Sequence, residues 1–97
     1  MDIAAFEHSL GQAAPPPTLG SALAALWWDA KGDWARAHQA AQSDKGTAGA
    51  WVHAYLHRKE GNLANAGTWY RRAGRAPATG ALDAEWRSIA GTLLARG

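Results

Sequence analysis

Two histidines, His53 and His57, stand four residues apart in the segment Trp51-Val52-His53-Ala54-Tyr55-Leu56-His57-Arg58-Lys59-Glu60. Glu60 follows three residues later. On a helix this spacing sets all three on one side. Two imidazoles at i, i+4 can hold a divalent cation, and a carboxylate can add a third donor. His38, in the preceding predicted helix, could approach them. The same groups could act as general acid and base. The plainer alternative is a pair of half-buried histidines bonded to carbonyls or to Glu60. The segment lacks the HExxH pattern, in which a glutamate between the ligands serves as base.

A second constellation is basic and aromatic. Arg71, Arg72 and Arg75, with Arg58 and Lys59, are flanked by Trp69 and Tyr70. Arginine beside aromatic rings can stack bases or hold phosphates. A solvated helix end that complements the helix dipole explains the same residues. The four serines sit outside any nucleophile-elbow pattern, and there is no P-loop or dinucleotide fingerprint.

Composition bounds these options. The 97 residues are 47% hydrophobic and 19% charged, which fits one small domain with a single core. The absence of cysteine excludes disulfides, thiol catalysis and thiolate metal sites. No apolar run approaches the roughly 20 residues of a membrane span, and no signal peptide is evident, so the expected compartment is the cytoplasm. Charge is unevenly spread: residues 1–48 carry five acids and three bases, residues 49–97 three acids and seven bases. A basic half permits an anionic partner without requiring one. The six tryptophans are several times the usual share, and large rings among many alanines are expected mainly in the core.

The elements that must position these groups read as helices throughout. Residues 3–10 predict a short helix capped by Asp2, followed by a proline-rich arm, GQAAPPPT, which stops helices and favours an extended strut. Residues 1–18 therefore read as an N-terminal helix and arm, and 19–97 as the helical domain. Leu19, Leu23, Leu26, Trp27 and Ala30 share one helical face. Further helices are predicted at about 34–44, 48–60, 63–74 and 82–95. Asp33, Thr47 and Asn62 are the predicted caps. Trp34, Ala37, His38 and Ala41 form one stripe, Leu63, Ala66, Tyr70 and Ala73 another. No segment alternates long enough to read as a strand. The fold class is all-α, built of helical hairpins.

An internal repeat underlies the hairpins. Gly32-Asp33-Trp34-Ala35-Arg36-Ala37 aligns with Gly61-Asn62-Leu63-Ala64-Asn65-Ala66 at an offset of 29. In both, glycine closes one helix, a polar side chain caps the next, and alanine permits a close crossing. The run Gly61 to Ala73, with Trp69-Tyr70-Arg71-Arg72-Ala73 at its end, resembles the second helix of tetratricopeptide and Sel1-like repeats. The resemblance spans about residues 19–77. It implies two repeat units with flanking capping helices and a role as a protein-interaction scaffold, with Trp51, Tyr55 and Arg58 on a concave face beside Trp69 and Arg72.

The sequence thus leads to an interaction module without catalytic residues or cofactors. Its expected partner is a protein or peptide, self-association is open to it, and neither a membrane nor, in the main, nucleic acid is expected. Its partner-binding residues are Trp51, Tyr55, Arg58, Trp69 and Arg72. The first alternative is a metal or pocket site at His53, His57 and Glu60. The second is nucleic-acid or phosphate binding through the Arg58–Arg75 patch.

Overall fold

The computed structural model describes residues 1–96 as six helices: α1 (Ile3–Ser9), α2 (Ser21–Ala30), α3 (Trp34–Ser43), α4 (Thr47–Lys59), α5 (Leu63–Ala73) and α6 (Leu82–Ala95). No strand occurs among the described residues. No helix among them is long and apolar enough to cross a membrane. The all-α reading is therefore correct.

Helices α2 and α3 form one antiparallel hairpin, α4 and α5 a second. Their turns are built alike. Gly32 and Gly61 adopt φ of 80° and 87°, a left-handed conformation that side chains disfavour. The Asp33 N–H donates to the Trp28 carbonyl, and Asn62 N–H to the His57 carbonyl, the same bond 29 residues on. The Asp33 carboxylate accepts from Arg36 N–H at 3.0 Å, and the Asn62 amide oxygen from Asn65 N–H at 3.2 Å. Each cap satisfies a backbone donor that the first helical turn leaves without a partner.

Helix α4 is the centre, buried along its whole length from Gly49 to His57. It packs on α5 within its hairpin, on α3 and α2 of the other hairpin, and on α6. The backbones of α3 and α5 do not approach each other. A trough with α4 as its floor therefore separates them.

Helix α6 closes the opposite side against α2 and α4, and α1 docks on α6. Trp86 Nε1 donates to the Leu26 carbonyl at 3.0 Å, and the Trp86 ring stacks on Phe6 with centroids 5.6 Å apart. Trp27 Nε1 donates to Ser9 Oγ at 3.1 Å, which fixes α1 on the body. Two buried carboxylates are satisfied across elements. Asp29 accepts from the Tyr55 hydroxyl at 2.7 Å and Lys59 Nζ at 2.9 Å. Glu85 accepts from the Tyr70 hydroxyl and, at 2.9 Å, from Arg58. Among the described residues no buried side-chain polar atom lacks a partner.

Three local expectations differ from the structure. Thr47 is the first residue of α4, and Gly46 is its N-cap with no side-chain bond. Leu63 and Trp34 were expected in buried stripes and are exposed, at 69% and 40%. They occupy equivalent positions, each the first residue after an N-cap. Ala30, the last residue of α2, is exposed as well.

Candidate metal centre

The trough between α3 and α5 is filled at one end by imidazole. His53 and His57 project from α4 and His38 from α3. All three lie within a triangle of ring centroids of 4.6 Å (His38–His53), 4.7 Å (His53–His57) and 5.4 Å (His38–His57). His53 and His57 are buried and His38 is half-buried. One ring nitrogen from each can be chosen so that all three lie within 4.8 Å of one another. His38 Nε2 and His53 Nε2 are 3.0 Å apart, within hydrogen-bond distance. A tetrahedral zinc ion bonded to nitrogen at about 2.0–2.1 Å sets its ligands about 3.3 Å apart. The spacing of this pair already matches.

Each ring is held from outside. The His57 Nδ1 is bonded to Glu60 Oε1 at 2.5 Å, and its Nε2 lies 3.4 Å from the Asn65 side-chain nitrogen. A carboxylate on the far nitrogen of an imidazole sets its tautomer and raises its basicity as a ligand. His53 is sandwiched between His57 and Trp69, whose ring stacks on it at 3.9 Å. His38 is covered by Trp34 at 4.6 Å. The exposed Trp34 thus has a role as the outer plate of the cluster.

Electrostatics favour the neutral ring at His53 and at His38. Burial pushes the His53 imidazolium down to about 4, aided by His38, His57 and Arg72 and opposed by Glu60. Burial and His57 push His38 below its ordinary value as well. A neutral imidazole is the form that binds metal.

Glu60 is bonded to the Nδ1 of His57 and does not join the three-nitrogen cluster, in which the third residue is His38. The signal for His38 was present in the Trp34/His38 spacing on α3. Its meeting with α4 depends on how two hairpins cross, which no local spacing encodes.

The residues assigned to a partner surface separate. Trp51 is buried under the Arg75 guanidinium, 3.8 Å from its ring centroid. Tyr55 is buried on Asp29, and Arg58 is half-buried on Glu85. These three form no exposed concave face, because α6 and α2 cover that side of α4. Trp69 and Arg72 line the trough, where Arg72 lies over the Trp69 ring at 4.6 Å. The basic patch is likewise dispersed: Lys59 pairs with Asp29, Arg58 with Glu85, and Arg75 covers Trp51.

Neither known protein families, nor characterised proteins, nor solved structures give a match to this chain. The functional reading therefore stands on the side-chain geometry.

Proposed function

We propose that this protein is a small helical-hairpin module that binds a divalent transition metal, zinc foremost, through His38, His53 and His57. The convergence of three histidine nitrogens from two helices carries the reading. Glu60 on the outer nitrogen of His57 supports it, since metal-ligating histidines almost always donate their other N–H to a carboxylate, carbonyl or water. Three imidazoles suit zinc, copper or nickel better than hard cations, which prefer oxygen. The two equivalent hairpins support an architecture of tetratricopeptide or Sel1-like units, with α1 and α6 as flanking helices. In that architecture the metal bridges the junction between units, since His38 belongs to the first hairpin and the other two ligands to the second.

The test is zinc titration of the chelator-stripped protein against a chromophoric competitor, with cobalt as a spectroscopic substitute. One equivalent of each metal is expected to bind, and cobalt to show the intense visible bands of a four-coordinate site. His38→Ala, His53→Ala and His57→Ala should each lose binding, and His8→Ala should not. Glu60→Gln, which removes the carboxylate from the outer nitrogen of His57, should weaken zinc by about 10–100-fold. Binding that survives all three ligand substitutions would overturn the assignment.

A further inference from the structure

A metal held by these three nitrogens lacks a fourth protein donor: no other histidine, aspartate or glutamate among the described residues joins the cluster. Structural zinc sites are closed by four protein ligands, whereas three leave a position for an exchangeable ligand. What can reach that position is set by the rest of the trough. Beyond His53 the trough continues as an open groove of about 590 Å³ between α3, the N-terminal half of α4, and α5. Its walls carry Lys45 and Arg72, and its one acid is Asp44.

These charges are not equally free. The Asp44 carboxylate accepts from the Gly46 N–H at 2.8 Å, within its own turn. Arg72 and Lys45 have no carboxylate partner among the described residues. Arg72 is nevertheless positioned. Its guanidinium lies over the Trp69 ring at 4.6 Å, and the same indole stacks on His53 at 3.9 Å. The indole holds this charge beside the groove, which Arg72 and His53 both line. Guanidinium is the side chain best matched to a planar carboxylate or to phosphate.

Resting on the metal reading above, we infer that the bound metal takes a small oxyanion, carboxylate or phosphate, as its fourth ligand from this groove, with Arg72 holding the anion's remaining oxygens. The arrangement separates two tasks. The metal gives affinity for one oxygen, and Arg72 selects anions over water and neutral donors.

The cobalt-loaded protein tests this. Acetate, succinate and inorganic phosphate are titrated separately while the visible bands are followed, in the native chain and in Arg72→Gln. Arg72 is exposed on α5, and an unchanged helical circular dichroism spectrum confirms that the variant folds. At least one oxyanion is expected to shift the bands, with affinity about tenfold or more weaker in Arg72→Gln and no heat of binding to the metal-free protein. Succinate ahead of acetate identifies a dicarboxylate as the source chemistry; phosphate ahead of both identifies a phosphate. Normal cobalt binding with bands that no anion moves overturns this inference and leaves the metal site standing. So does equal anion affinity in Arg72→Gln. Failure of cobalt to bind overturns the metal site itself.

Discussion

His53 shows how much one side chain can be asked to do. It is 3% exposed, packed between two rings, and bonded to a third imidazole. Its proton affinity is lower in the fold than in the unfolded chain, with an ordinary value near 6.5 dropping to about 4. The unfolded chain then binds more protons between those values, so stability falls as pH is lowered through them. The charged neighbours act in both directions, Arg72 and protonated His38 or His57 against the imidazolium and Glu60 for it. For the metal-free protein, urea unfolding in the presence of chelator is expected to lose on the order of 2 kcal/mol between pH 7 and pH 4.5. His53→Gln should flatten that slope. A slope equal to the native one would show that other groups cause it.

The scale of elements is where the sequence was most legible. Glycine followed by Asp33 or Asn62 announced both hairpin turns, and the caps form as their chemistry requires. The spacing of His53, His57 and Glu60 anticipated that they are neighbours along α4. What was not legible is what lies opposite that face. Trp51 and Tyr55 read as exposed aromatics only while α2 and α6 were not in place to cover them. That His38 could approach was legible, but where it meets α4 is set by the crossing of α3. Burial on all sides leaves α4 with no polar stripe, so periodicity gave no single direction for its side chains. The glycines separate packing from conformation. A Cβ on Gly49 would collide with the backbone of Asp44 where the turn into α4 folds back on the helix, whereas one on Gly91 in α6 meets nothing within 4 Å. Gly49→Ala is expected to destabilise by about 1–3 kcal/mol. Gly91→Ala is expected to stabilise by about 0.5–1 kcal/mol, because it reduces the entropy of the unfolded chain. Chemical denaturation of the two variants gives opposite shifts of the midpoint, and shifts of the same sign would refute this account.

At the scale of the whole molecule, the Cα radius of gyration is 12.2 Å, close to the roughly 12.5 Å of a single domain of this length. The three proposed ligands join its two hairpins, so metal affinity and global stability are the same quantity seen twice. Zinc present at about 100 times its dissociation constant should add about 2.7 kcal/mol. For a domain of this size that corresponds to a rise in Tm of about 10–20 °C. Differential scanning fluorimetry with and without chelator measures it, and His57→Ala should abolish the difference. A Tm indifferent to zinc in the native chain would mean that the histidines bridge the hairpins without metal.

The ties made by α6 carry a temporal consequence. Leu26 receives its partner from Trp86, Tyr70 and Arg58 receive theirs from Glu85, and Phe6 its ring neighbour from the same tryptophan. During synthesis the earlier helices leave the ribosome before any of these partners exists. The two hairpins can form locally as they emerge, but their shared core stays open to water until α6 arrives. Protein synthesis therefore delivers the residues of the histidine cluster before the helix that completes their supporting core.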